Sequence, residues 1–223
     1  FCLLKAPEVF RTQLRALLRA SAHGNLRLMV PFISRLEEVL TSKAILDDVR
    51  RELESEGIET GEVEFGVMIE LPGAALIVDM IAQHVDFVSV GTNDLVQYTL
   101  GVDRANPNVA DLYTPEHPAV LRLIEQVIRE MASADKQVSM CGEMAGYPRC
   151  VPLLLGMGLR HFSVSPTAIP LVKAMLRELS VKRCEALVAE VRQLERIDMI
   201  THRLYTFLKE NFEGGPLSSM LKP

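Results

Sequence analysis

The sequence has 223 residues, 48% of them hydrophobic, and a formal net charge of -5, enough for one well-buried domain or a large part of one. Lys and Arg (24) and Asp and Glu (29) are interspersed without a basic block, which leaves no support for nucleic acid or an anionic membrane as a partner. The most apolar run, "VPLLLGMGL" at 151–159, is less than half of the ~20 residues that a spanning helix needs, so the expected location is cytoplasmic.

The first element is a helix, "PEVFRTQLRALLRASAHG", with Pro7 near its start and Gly24 beyond its end. Arg11, Arg15 and Arg19 recur on it every four residues and read as a solvated basic stripe, with a partner surface as the second reading. Five short runs rich in Val, Ile, Phe and Met then read as strands: "LRLMVPF" (26–32), "EFGVMIE" (64–70), "DFVSVGTN" (86–93), "QVSMCGE" (137–143) and "HFSVS" (161–165). Helical patterns separate and follow them: a long helix with a Ser34 cap ending at Gly57, shorter ones over 72–83, 148–156 and 167–179, and "HPAVLRLIEQVIREMASAD".

Strands alternating with helices predict an α/β fold with a parallel sheet. No G-x-G-x-x-G opens the first turn, and polar residues follow several strands, which favours a (β/α)8 TIM-type barrel over a doubly wound sheet. Five strands are too few to close it, so about five of eight are expected here, with the others upstream. A start without Met, "FCLLKAPEVFR", points the same way. Residues 1–180 are expected to form this part of the barrel, and 181–223 two further helices and a mobile Gly-Pro-Ser tail. The four cysteines, Cys2, Cys141, Cys150 and Cys184, lack C-x-x-C spacing and read as reduced thiols.

In a parallel barrel the loops after the strands form the active face. Glu70 ends "GVMIE", Asn93 and Asp94 end "VSVGTN", Cys141 and Glu143 end "VSMCGE", and Ser163 and Ser165 flank the end of the last strand. Glu70 and Asp94 could supply two oxygen ligands of Mg2+, leaving its other positions to water and a phosphorylated substrate. Arg104 offers a planar fork of donors for phosphate or carboxylate, and Asn93 can both donate and accept. Cys141, a thiol among acids, suits a general acid better than a nucleophile, because negative neighbours oppose a thiolate. Singly, each has an ordinary alternative: a core thiol, a barrel-mouth carboxylate paired to arginine, a surface arginine. Together on one face they point to a metal-phosphate site. None of the histidines, His23, His84, His117, His161 and His202, neighbours this cluster in the sequence pattern.

At "GVMIELPGAA", "VDFVSVGTNDLVQYTLGVDR" and "MCGEMAG" the sequence resembles the phosphoenolpyruvate-binding C-terminal barrel of enzyme I of the phosphoenolpyruvate–sugar phosphotransferase system. "CVPLLLGMGLRHFSVS" and the Gly-rich end are closest to its nitrogen-related paralogue, which carries a GAF domain. The resemblance implies that Glu70 and Asp94 bind Mg2+, that Asn93, Asp94 and Arg104 hold phosphoenolpyruvate, and that Cys141 protonates the enolate to give pyruvate. It also implies a homodimer and an HPr-like phosphocarrier, reached through a histidine domain that this sequence lacks. The family's upstream arginines and G-G-D-K loop do not occur here either, so the chain by itself is expected to be inactive. Two alternatives are the equivalent domain of a pyruvate phosphate dikinase or phosphoenolpyruvate synthase, and a non-catalytic dimerisation or regulatory module.

Overall fold

The structure is a computed structural model that describes residues 5–212, Gly214 and Leu217. Cys2 and almost all of the expected Gly-Pro-Ser tail lie outside the described residues. Helix α1 (Pro7–Ser21) opens on a proline, whose missing N–H has no intrahelical partner at that position, and buries Leu14 and Leu18. Its arginines are only in part a solvated stripe: Arg19 is exposed, while Arg11 pairs with Glu52 of helix α2 (Leu36–Ser55) and Arg15 with Glu56 just beyond its end, because the charges repeat every four residues along both segments and the two rows meet in register.

Ser34 does not cap α2 as expected. The cap residue is Arg35, and Glu38 reaches back to accept from Ser34 N–H (2.7 Å), the Ser34 hydroxyl (3.0 Å) and Arg35 N–H (3.3 Å). Donors left open by the first turn thus find a carboxylate.

Strands β1 (Leu26–Val30), β2 (Val63–Ile69), β3 (Phe87–Gly91), β4 (Gln137–Cys141) and β5 (His161–Phe162) form one parallel sheet in sequence order. Parallel crossovers are right-handed, so an order that never reverses keeps every connecting helix on one face. A doubly wound sheet would reverse at a switch point. The sheet is therefore an arc of barrel wall, open at β1 and β5 among the described residues. Asp86, just before β3, bonds back to β2: its carboxylate accepts Phe65 N–H at 2.8 Å and its own N–H donates to Phe65 O at 2.8 Å. β5 is shorter than expected, although Ser163 N–H extends the ladder to Met140 O at 2.8 Å.

Outward-facing Leu28, Phe65, Val67, Val88, Val90 and Met140 are buried in one core with the helices. Burying a side chain of this kind contributes roughly 1.5–3 kcal/mol. On the inner face Arg27 pairs with Glu64, lies over the Phe87 ring (5.3 Å to its centroid) and donates to Gln137 at 2.8 Å, a polar layer beneath the strand ends.

One helix was expected over 72–83; two form, α3 (Pro72–Leu76) and α4 (Val78–Ala82), separated where Ile77 leaves helical geometry (φ -110°, ψ 21°). An unexpected helix, α5 (Thr92–Leu100), follows β3 directly and ends at Gly101, which takes the left-handed conformation (φ 64°). Then come α6 (Pro118–Ser133), α7 (Val151–Gly156), α8 (Ile169–Glu178), α9 (Val181–Val191) and α10 (Ile197–Phe212). The last two send Cys184, Leu187, Leu204 and Phe207 into the same core as the sheet. Among the described residues no helix is long and apolar enough to cross a membrane.

Candidate active site

β2, β3 and β4 end side by side. Their register sets Gly91 opposite Cys141 and, one step beyond the Ile69–Val90 pair, beside Glu70. A Cβ at Gly91 would stand 2.8 Å from Glu70 Cβ and 2.9 Å from its Oε2, so the missing side chain is the space that the carboxylate occupies. Glu70 is only 5% exposed, and its Oε1 accepts Phe32 N–H at 2.6 Å. Phe32 points that N–H inward from a left-handed backbone (φ 59°), unusual for an aromatic residue, while its ring meets Tyr98 of α5 edge-on at 5.8 Å.

Burial pushes the Glu70 carboxyl up from its ordinary value; the adjacent Asp94 carboxylate adds to this, and the Phe32 N–H opposes it. A buried carboxyl beside a second acidic group is the kind of oxygen donor that a hard divalent cation would relieve. Among the described residues no group of three or more His, Cys, Asp or Glu side chains is arranged to hold a metal. Glu70 and Asp94 are the two carboxylates that meet at this corner, and carboxylate oxygens suit Mg2+, whose remaining positions water and substrate oxygens fill.

Asn93 and Asp94 do not end a strand, as expected, but lie in the first turn of α5. The strand stops at Gly91 and the chain turns straight into helix, which places Asp94 at the positive end of the helix dipole. Asn93 Oδ1 accepts Glu143 N–H at 3.0 Å, tying α5 to the turn Glu143–Gly146 after β4. Between them Gly142 has φ 105°, and a Cβ there would lie 2.4 Å from Thr92 Oγ1. Both conformation and space exclude a side chain.

The Cys141 sulfur accepts from the Ser89 hydroxyl at 3.2 Å and donates to Val90 O at 3.6 Å. It is half-buried and opens on a cleft of ≈ 390 Å³ lined by Asn93, Glu143, Tyr147, Ser163 and Ser165, among others. Arg104, in the loop after α5, lies 3.8 Å from the Glu143 carboxylate across an exposed gap. The predicted residues thus converge on one end of the sheet, with Arg104 on the rim and Glu143 as its partner.

Sequence reasoning missed the residues that frame this end. The Tyr113 hydroxyl donates to Asn93 O at 3.4 Å; burial pushes it up to about 12, with Arg104 opposing and Glu143 and Asp94 adding. Tyr147 donates to Glu143 at 2.8 Å, and burial followed by that carboxylate pushes its phenol up as well. No spacing in the sequence joins these tyrosines to the strand ends. A larger cleft, ≈ 600 Å³, lies between the starts of α6 and α10, lined by His117, Arg122, Arg196 and Asp198, among others. None of the strand-end residues lines it, and His117 there has a structural task, capping α6 by accepting Ala119 N–H at 3.1 Å.

An arc of parallel barrel with an acid pair, an amide and a thiol at its C-terminal rim has the layout of an α/β-barrel domain whose active face lies after the strands. The family described as "PEP-utilising enzyme, PEP-binding domain" matches residues 2–181. The chain belongs to that family. It is 44% identical over 213 residues to a phosphoenolpyruvate-protein phosphotransferase of Priestia megaterium, covering 95% of this chain and 36% of that protein. Similar proteins of the same name occur in Enterococcus faecalis (49% over 176 residues, 78% of this chain, 31% of that protein) and Lactococcus lactis subsp. cremoris (48% over 180, 80% and 31%). The chain thus spans about a third of the length of these relatives. A crystal structure of a citrate lyase from Burkholderia xenovorans LB400 shares the fold, with TM-score 0.57 at 18% identity over 95% of this chain and 72% of that one.

Proposed function

We propose that this chain is the phosphoenolpyruvate-binding part of a phosphoenolpyruvate-protein phosphotransferase. The observation that carries the reading is the row Glu70, Gly91, Cys141 across three neighbouring strand ends, with Asp94 against Glu70. Glu70 and Asp94 would hold Mg2+, which when bound supplies charge neutralisation for the phosphoryl group. Asn93 and Arg104 bind and orient the substrate, Arg104 by turning its guanidinium from Glu143 to the substrate's phosphate or carboxylate.

In the longer protein the phosphorus–oxygen bond of phosphoenolpyruvate breaks as the phosphoryl group passes to a histidine nitrogen on another domain. The electron pair left on oxygen makes an enolate. The Cys141 thiol, held between Ser89 and Val90 O, gives its proton to the enolate methylene carbon, pyruvate leaves, and the sulfur is reprotonated from water. The same reading carries an HPr-like phosphocarrier as acceptor, a cytoplasmic homodimer and the nitrogen-related branch.

The test is Cys141→Ala in the longer protein. Histidine phosphorylation by phosphoenolpyruvate should persist while pyruvate formation falls by about 10²-fold or more, the usual size of a lost general acid. Unchanged pyruvate formation would remove Cys141 from the mechanism.

A further inference from the structure

Glu116 is 2% exposed, at the end of the loop between α5 and α6, and it pairs with Arg149 in the turn before α7. The Cys150 thiol donates to the same carboxylate oxygen at 3.6 Å. Neither residue belongs to the acid-and-thiol row, yet a continuous series of contacts leads there. The Arg149 guanidinium lies over the Tyr147 ring at 5.2 Å; Tyr147 donates to Glu143 at 2.8 Å; Glu143 faces Arg104 at 3.8 Å and gives its N–H to Asn93 at 3.0 Å.

Stability alone does not account for the pair. Taking the Glu116 carboxylate out of water costs several kcal/mol, and an apolar group in its place often serves the fold as well or better, while Arg149 keeps 30% of its side chain exposed. The ion pair does fix a position: Arg149 Nε donates to Glu116 Oε1, and the guanidinium so held lies over the Tyr147 ring. Glu143 needs such support, since its contact with Arg104 is exposed and by itself is worth little.

We propose that Glu116 and Arg149 are positioning residues: their pair holds the Tyr147–Glu143 arm against Arg104 and Asn93, and so sets the affinity of the site for its anionic substrate. The affinity half of this rests on the phosphoenolpyruvate reading above; the positioning half does not.

The experiment replaces both partners at once, Glu116→Leu with Arg149→Leu, so that no buried charge is left alone. Thermal melting, hydrogen exchange over residues 101–113 and 141–147, and titration with phosphoenolpyruvate and Mg2+ are then compared with the parent. The double variant should melt close to the parent, exchange faster in those two segments, and bind about tenfold more weakly, the size of a typical coupling between residues in one network. In an Arg104→Ala background the same replacement should change affinity less than it does in the parent, the remainder acting through Asn93, a coupling that a purely structural role would not give. Unchanged exchange in the folded double variant overturns the proposal, as does an undiminished effect in the Arg104→Ala background. If the double variant does not fold, Tyr147→Phe decides, because it removes only the hydroxyl bond to Glu143: exchange over 141–147 should rise, and unchanged exchange overturns the proposal. A parent that binds no phosphoenolpyruvate, either as this chain or N-terminally extended, defeats the reading of the site, while exchange still decides the positioning.

Discussion

Gly91 and Glu70 share one space: a Cβ on Gly91 would stand 2.9 Å from the Glu70 carboxylate oxygen Oε2. Gly91→Ala should therefore displace the acid at a cost of about 1–3 kcal/mol, the usual range for overpacking a close contact. Mn2+ affinity, followed by electron paramagnetic resonance of the free ion, should fall at the same time. A variant that binds Mn2+ as the parent does would show that Glu70 is not a ligand.

Glu38 gives a pH dependence whose sign is fixed. Burial raises its carboxyl, but the Ser34 N–H, the Ser34 hydroxyl and the Arg35 N–H, helped by the Arg35 charge, outweigh that and leave it below its ordinary value. A carboxyl lowered by folding stabilises the fold fully above its unfolded pKa of about 4.3, and the contribution disappears as pH falls through the lower folded value. Glu38→Gln should cost about 1 kcal/mol at neutral pH, the size of a lost cap. Urea titrations of parent and variant should converge in acid; a gap that widens there would contradict the assignment.

The thiols should separate by reactivity. Burial pushes the Cys184 thiol up to about 11, and burial with the Glu116 charge pushes Cys150 well above its ordinary value. Both are fully buried, whereas Cys141 opens on the cleft. Alkylation at pH 8 followed by peptide mass spectrometry should label Cys141 in the folded chain and reach Cys150 and Cys184 only on unfolding. Equal labelling of Cys150 would mean that the Glu116–Arg149 corner is open.

Much of the fold is legible in the sequence because the strands of a parallel sheet are short, apolar and separated by helical periods. All five start within one residue of the runs that announce them. Helix α5 was hidden because "VSVG" and "TND" read as one strand running into polar residues; the available signal was Leu95, Val96 and Leu100 at helical spacing before Gly101. That Glu70, Asn93, Asp94 and Cys141 gather at one end of the sheet was legible because they sit at strand ends, or just past them, where position along the chain predicts position in space; Arg104, beyond a whole helix, is placed by the loop instead. Pairs such as Arg11–Glu52 and Glu116–Arg149 were not, since they join residues 41 and 33 apart through the packing of separate elements. Left-handed Phe32 was not either: nothing in "VPFISR" announces that its N–H will turn toward Glu70.

The central claim is that Glu70, Asp94, Asn93 and Arg104 make one Mg2+-dependent site for phosphoenolpyruvate. Calorimetric titration of phosphoenolpyruvate into this chain, with and without Mg2+ and beside Asp94→Ala, tests it directly. Binding that requires Mg2+ and is lost in Asp94→Ala is the predicted result. Binding that ignores Mg2+ and survives Asp94→Ala would contradict it, as would no binding either to this chain or to an N-terminally extended one.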